Sequence, residues 1–86
     1  MDEGARTPTR KQVAAAFGAV LQQRRLARGL TQEQIAGATG LTTQFVSMME
    51  RGVNQPSLHT LLALARALSV EPTVFLAEAV EALSAS

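Results

Sequence analysis

The sequence predicts an all-α fold of five helices, and three observations support that prediction. Alanine and leucine are abundant, with fifteen and eleven copies among 86 residues, and both favour helices. Apolar side chains recur at intervals of three and four residues, whereas the apolar–polar alternation of a strand is nearly absent. Glycine, proline and helix-capping residues divide the chain into segments of helical length. We therefore expect one small helical domain over residues 10–86, preceded by a flexible arm over residues 1–9.

The first helix is predicted over residues 10–28. Phe17, Leu21 and Arg25 follow one another at intervals of four residues and therefore share one face of this helix. Gly29 supplies the C-terminal stop, because glycine readily adopts the left-handed conformation that ends helices. One charged residue, Arg25, thus interrupts a face that is otherwise apolar.

The second and third helices have clear start signals. Thr31 is a suitable N-cap, and Gln34 three residues later completes a capping box. The second helix should end near Gly40. Thr42 is the predicted N-cap of the third helix, which should stop at Gly52.

The fourth and fifth helices each begin near a proline, a residue that the first turn of a helix tolerates. Pro56 and Ser57 open the fourth helix, and its predicted apolar face comprises Leu58, Leu61, Leu62, Ala65 and Leu68. Pro72 opens the fifth helix, predicted over residues 72–84, and its apolar face comprises Phe75, Leu76, Ala79, Val80 and Leu83. One small domain cannot easily cover so wide a face, so we expect it to contribute to a homodimer. The alternative is that Phe75 and Leu76 alone pack inside the monomer.

The net charge of +1 conceals an uneven distribution of charge along the chain. Residues 4–70 hold all eight basic residues and only two acidic ones, whereas both ends of the chain are acidic. A basic segment of this kind either binds a polyanion or simply keeps the protein in solution.

The composition argues against an enzyme and against a metal or cofactor site. Without cysteine there is no thiolate and no disulfide, and the single histidine, His59, cannot form a histidine metal site alone. No nucleophile–base set and no paired carboxylates stand out, so we expect His59 to be a surface residue and no cofactor or small-molecule ligand to be bound. The longest apolar run, over residues 13–21, is too short to span a membrane. A cytoplasmic location is therefore expected.

The second and third helices have the spacing of a DNA-binding helix-turn-helix, although helical corners of this kind also occur in purely structural domains. In the third helix Val46 and Met49 should face inward, which leaves a second set facing outward: Thr43, Gln44, Ser47 and Met48. Amide, hydroxyl and methyl-bearing groups are those that read base edges in the major groove. An ordinary solvated face would more often carry lysine and glutamate.

Three further residues are candidates for contacts with the phosphate backbone. Gln32 begins the second helix, where its side chain and the helix N-terminus can approach the same anion. Arg51 follows Ser47 by four residues and should reach the flanking backbone. Asn54, in the next loop, is a weaker candidate. All three could equally be plain surface residues.

The motifs of residues 24–70 resemble those of the lambda repressor and Cro-like, or XRE, family of helix-turn-helix regulators. The segment G-L-T-Q-x-x-I-A is followed at the family's spacing by V-S-x-x-E-R-G and by P-S-L-x-T-L-L. The resemblance extends over residues 17–76. It implies a five-helix lambda-repressor-like domain that regulates transcription by binding double-stranded DNA.

The resemblance also assigns roles to particular residues. The family's glutamine at the start of helix 2 corresponds to Gln32, its base-reading helix corresponds to the outward set, and its phosphate-contacting turn corresponds to residues 51–55. The family often pairs an arginine late in helix 1 with a glutamate at the end of helix 3, here Arg25 and Glu50. We expect this pair to be largely buried and to orient helix 3. Gly37 inside helix 2 and Val53 in the turn, where the family commonly has lysine or arginine, depart from the pattern.

The C-terminal segment resembles the short stand-alone members of the family, especially the controller proteins of restriction–modification systems. In those proteins the last helix contributes to a homodimer, which implies a palindromic operator read by two copies of helix 3. The alternative is a protein-interaction module, such as an antitoxin or an adaptor, that uses the same helices to bind another protein.

Overall fold

Five helices make up the part of the chain that the computed structural model describes, residues 7–85. They are α1 (Arg10–Ala27), α2 (Gln32–Thr39), α3 (Thr43–Glu50), α4 (Leu58–Ala67) and α5 (Pro72–Ala85). The predicted all-α class and the order of the helices are confirmed. Residues 1–6 of the predicted arm lie outside the described residues. Thr9, which was expected to belong to that arm, instead caps α1.

Side-chain caps define the start of four helices. Thr31 and Gln34 form the predicted capping box at α2, and Thr42 caps α3. Thr9 and Gln12 form a second capping box that the sequence analysis missed. Ser57 caps α4 by accepting a hydrogen bond from the backbone N–H of Thr60. Each cap satisfies a backbone donor of the first helical turn, which has no partner within its own helix.

The hydrophobic core takes side chains from all five helices. Seven large side chains are fully buried: Leu21, Ile35, Val46, Met49, Leu64, Leu68 and Phe75. The rings of Phe17 and Phe75 pack at a centroid distance of 5.2 Å with a tilt of 58°. This contact fastens α5 to α1.

The assignment of Phe75 to a dimer interface was therefore wrong. Its side chain is 0% exposed within a single chain, because the α5 face that includes Phe75 packs on α1. Ala79 is half-buried and packs against the same core. Leu76 and Val80 lie farther round the helix and remain exposed.

The predicted apolar face of α4 was only partly correct. Leu58 is 73% exposed and Leu62 is 46% exposed, whereas Leu64, which was not assigned to the face, is fully buried. The buried stripe is centred on Leu61, Leu64 and Leu68, so Leu58 and Leu62 lie at its edge. Helical periodicity locates an apolar stripe, but the neighbouring helices decide how much of it is covered.

Within residues 7–85 no single helix is long and apolar enough to cross a membrane. The helices α4 and α5 satisfy the length and hydropathy criteria only when they are taken together, across a bend of 108°. Leu64 and Phe75 of these two helices, and Leu68 at the end of α4, belong to the core.

Candidate nucleic-acid interface

The inward face of α3 anchors this helix in the core and leaves its other face outward. Val46 and Met49 are both 0% exposed. Gln44 is exposed on the opposite side, and the remaining outward residues, Thr43, Ser47 and Met48, are half-buried. The structure thus brings the four candidate base-reading residues together on one face of a single helix. Their amide, hydroxyl and thioether groups carry no formal charge.

The turn between α2 and α3 depends on a glycine. Gly40 adopts a φ of +74°, in the left-handed region that favours glycine. The backbone N–H of Leu41 then donates to the carbonyl of Ala36 at 3.1 Å, which closes the end of α2. Thr42 follows as the cap of α3. Gly40, Leu41 and Thr42 thus form the short turn that joins α2 to α3.

Two close backbone approaches fix α3 against α1. A Cβ atom added at Gly18 would lie 2.2 Å from the carbonyl oxygen of Met49, so only glycine fits there. Gly52, with a φ of +74°, lies against Ala15, whose Cα would be 3.0 Å from an added Cβ. The sequence predicts that Gly52 stops α3 but does not indicate its contact with α1, and it gives Gly18 no role. The sequence signal for this close approach of α1 and α3 is a small residue between Phe17 and Leu21, on the core side of α1.

An ion pair joins α1 to the end of α3. Arg25 Nε donates to Glu50 Oε2 at 2.6 Å and Arg25 Nη2 donates to Glu50 Oε1 at 2.9 Å. The side chains are 10% and 1% exposed, respectively. Arg25 Nη1 also donates to the carbonyl of Leu30 at 2.9 Å. The hydrogen bonds that Arg25 donates to Glu50 raise the pKa of Arg25 despite its burial, so the guanidinium is charged.

Gln32 joins this network instead of projecting freely into solvent. Its Nε2 donates to Glu50 Oε1 at 3.0 Å, so the carboxylate of Glu50 receives hydrogen bonds from both α1 and the first residue of α2. The side chain is half-buried. A carboxamide nitrogen carries two hydrogens, and the contact with Glu50 uses one of them. Gln32 therefore has a structural contact that the sequence did not indicate.

Arg51 and Asn54 lie beyond the end of α3. Arg51 is the exposed C-cap of the helix, and Asn54 is half-buried in the following turn. Asn54 Nδ2 lies 3.9 Å from the sulfur of Met48, which brings the turn next to the outward face of α3. The outward residues of α3 and the two polar residues after it thus form one continuous surface.

A second ion pair, absent from the sequence analysis, connects α1 to α5. Arg24 Nε donates to Glu78 Oε1 at 2.8 Å, and a second guanidinium nitrogen contacts Oε2. Each side chain is about one-third exposed. The hydrogen bonds raise the pKa of Arg24 and lower that of Glu78. No local signal reveals a pair that is separated by 54 residues in the chain.

The model of a known protein family matches the central part of the chain. The helix-turn-helix family model HTH_3 matches residues 21–75, which include α2, α3 and α4 in full. The chain is also 44% identical over 43 residues to the uncharacterized HTH-type transcriptional regulator y4dJ of Sinorhizobium fredii. That alignment covers 50% of this chain and 56% of the relative, so the chain matches little more than half the relative's length.

Solved structures share the fold over most of the chain. The clp gene regulator ClgR from Corynebacterium glutamicum is 28% identical with a TM-score of 0.80, and the match covers 84% of this chain and 77% of ClgR. The restriction–modification controller protein C.AhdI from Aeromonas hydrophila is 40% identical with a TM-score of 0.69. That match covers 72% of this chain and 94% of C.AhdI. The lambda-repressor-like fold and the helix-turn-helix resemblance are thereby confirmed.

Proposed function

Because the chain belongs to the HTH_3 helix-turn-helix family of DNA-binding transcriptional regulators, we propose that it binds a palindromic operator as a homodimer. Helix α3 enters the major groove in this proposal. The observation that carries it is the outward face of α3, where exposed Gln44 lies beside Thr43, Ser47 and Met48. These uncharged groups suit base edges better than they suit a solvated surface.

Each residue of this surface has a proposed role. Gln44 forms a bidentate contact with an adenine, the hydroxyls of Thr43 and Ser47 accept or donate at neighbouring base edges, and Met48 contacts a thymine methyl group. Arg51 and Asn54 contact the flanking phosphates. Gln32 contacts another phosphate through the amide hydrogen that does not bond Glu50.

The buried Arg25–Glu50 pair supports this arrangement by orienting α3. Glu50 is the last residue of α3, and its carboxylate receives hydrogen bonds from Arg25 on α1 and Gln32 on α2. These bonds tie the position of α3 to that of both neighbouring helices. We infer that the pair holds the outward face at the angle that groove binding requires.

A homodimer through α5 would place two copies of α3 on successive major grooves. Leu76 and Val80 are 52% and 53% exposed and lie one helical turn apart on α5, with half-buried Leu83 along the same side. Covering this strip removes apolar surface from water. Two half-sites about one helical turn of DNA apart also give more specificity than one recognition helix can supply.

The proposed function is tested by selecting bound sites from a random duplex pool and measuring the affinity of the selected duplex. A Gln44→Ala variant should lose about 1–3 kcal/mol of discrimination between the selected duplex and a scrambled one. Gln22→Ala, which removes an exposed glutamine from α1, is the matched control and should bind as the wild type does. The proposal would be contradicted if no sequence is enriched from the random duplex pool. It would also be contradicted if Gln44→Ala discriminates between the two duplexes as well as the wild type does. A stable complex with a protein and none with DNA would favour an interaction module.

A further inference from the structure

A cleft separates the start of α1 from the turn between α3 and α4. Its volume is about 410 Å³, and it is lined by Arg10, Lys11, Ala14 and residues 52–55. Arg10 and Lys11 are exposed, as expected for cations that face solvent. Residues 52–55 belong to the turn that the family resemblance assigns to phosphate contacts, whereas Arg10, Lys11 and Ala14 have been given no role in binding above. The cleft is therefore distinct from the outward face of α3.

The cleft is nevertheless continuous with that face. Gly52 lies directly on α1, since its added Cβ would be 3.0 Å from the Cα of Ala15. Lys11 precedes Ala15 by one helical turn, so the start of α1 extends alongside the turn. Arg51, at the end of α3, leads directly into the residues that line the cleft. A DNA strand that follows the α3 surface past Arg51 would next meet the cleft.

The lining of the cleft offers donors and positive charge. Residues 52–56 carry no charged side chain, so the cations that line the cleft come from α1. In the described part of the chain, Arg24 and Arg25 are paired with carboxylates, whereas neither Arg10 nor Lys11 is within ion-pair distance of one. The backbone N–H groups of Asn54 and Gln55 likewise have no hydrogen-bond acceptor among residues 7–85.

We propose that this cleft binds a backbone phosphate of the DNA, with Arg10 and Lys11 supplying the charge and the Asn54–Gln55 backbone supplying N–H donors. This inference rests on the proposed function, which it extends beyond the helix-turn-helix itself. The contact is independent of base sequence, because only phosphate oxygens are bound. The positive charge that attracts this phosphate comes from α1, because residues 52–56 carry no charged side chain.

The test measures the salt dependence of binding for the full chain and its variants. Two duplexes of equal length are used, the selected operator and a mixed-sequence duplex. Each phosphate contact contributes about 0.9 to the slope of log K against log salt, so Arg10→Gln/Lys11→Gln, which removes the charge that holds this one phosphate, should make the slope shallower by about 0.9 on both duplexes. The ratio of wild-type to variant affinity should then fall about 3.5-fold between about 50 and 200 mM salt.

The single variant Arg10→Gln is measured beside the double variant. Arg66→Gln is its matched control, because both single variants remove one exposed arginine charge. Arg66 lies in the last turn of α4 and does not line the cleft. Loss of folding is not expected in the cleft variants, since removing cations from the first turn of α1 suits its helix dipole. Thermal unfolding of each variant checks this.

Each of the following outcomes would overturn the inference. A slope that changes no more for Arg10→Gln than for Arg66→Gln would show that the cleft holds no phosphate. An effect confined to the operator duplex would show a base contact instead. If the wild type binds neither duplex, the proposed function fails as well. Tight wild-type binding with an unchanged variant slope would overturn the cleft proposal alone.

Discussion

Glycine 18 determines how closely α1 and α3 can pack. An alanine there would place its methyl group 2.2 Å from the carbonyl oxygen of Met49, which is backbone and cannot rotate away. The two helices would have to separate, and that displacement would disturb the packing of Met49 and the end of α3. Because Gly18 has only a hydrogen atom in place of a side chain, α3 can approach α1 closely. This close approach sets the position of the candidate interface.

We expect Gly18→Ala to destabilise the protein by about 1–3 kcal/mol, as overpacking of a close interface does. Gly37→Ala is the matched control, because Gly37 is an exposed residue inside α2 with no atom within 4 Å of an added Cβ. That change should instead stabilise by about 0.5–1 kcal/mol through helix propensity. Urea unfolding measures both values. Equal effects of the two substitutions would show that the approach at Gly18 relaxes without cost.

At the scale of helices, the Arg25–Glu50 pair connects three elements through one carboxylate. Arg25 on α1 and Gln32 on α2 both donate to Glu50 at the end of α3. The side chain of Glu50 is 1% exposed, so water cannot replace a lost donor. A buried pair of this kind often adds little net stability, because desolvation offsets the attraction between the charges. Its value here lies in fixing the geometry of the three helices.

Arg25→Met should destabilise the protein by about 3–5 kcal/mol, because it leaves the Glu50 carboxylate buried without its cation. The double variant Arg25→Met/Glu50→Met should recover most of that loss, since neither charge remains. Its DNA affinity should stay below that of the wild type if the pair orients α3. Chemical unfolding and binding titrations on the same samples separate the two effects. Full recovery of both properties would assign the pair no orienting role.

The Arg24–Glu78 pair makes the attachment of α5 to α1 dependent on pH. The hydrogen bonds from Arg24 hold the pKa of Glu78 below its ordinary value of 4.5. A carboxyl whose pKa is lower in the folded state stabilises the fold above its ordinary pKa, and this contribution is lost as the pH falls through the folded value. Each side chain is about one-third exposed, so solvent screening keeps the effect small.

Glu78→Gln should therefore lower the melting temperature at pH 7 and lose less stability than the wild type on acidification below about pH 4.5. Glu81→Gln, an exposed change on the same helix, should leave the wild-type pH dependence intact. Calorimetry across this pH range compares the three proteins. Parallel curves for wild type and Glu78→Gln would contradict the prediction.

At the scale of the whole molecule, part of the apolar surface of α5 is not covered by the other helices. This surface is the proposed dimer contact. Phe75 and Ala79 attach α5 to the core, whereas Leu76 and Val80 lie on the next strip around the helix and remain about half exposed. A chain of 86 residues has too few helices to cover both strips of α5. The first strip is used within the chain, and the second is the proposed contact with another copy.

Leu76→Glu/Val80→Glu should convert a dimer into a folded monomer and weaken operator binding, because a single half-site remains. Val74→Glu is the matched control, since Val74 is 45% exposed and lies on the opposite side of α5. Light scattering coupled to gel filtration gives the mass of each. A wild type that is monomeric at micromolar concentration, or a dimeric double variant, would rule out this interface.

Features that depend on neighbouring residues in the chain were determined by the sequence alone. The Thr31–Gln34 capping box, the Gly40 turn and the inward position of Val46 and Met49 depend on groups within one helical turn, and the structure has all of them. The family motifs added the Arg25–Glu50 partnership, which no local pattern could supply. The helix order and the helix-turn-helix thus follow from the sequence.

Only the tertiary structure decided which apolar and charged groups are covered and which groups meet. It buried Phe75 against Phe17, left Leu58 exposed, and paired Arg24 with Glu78 across 54 residues. It also placed the start of α1 beside the α3–α4 turn, which created the basic cleft. The physical reason is that helical periodicity defines the direction in which a side chain points, whereas burial and pairing depend on what another helix brings to that place.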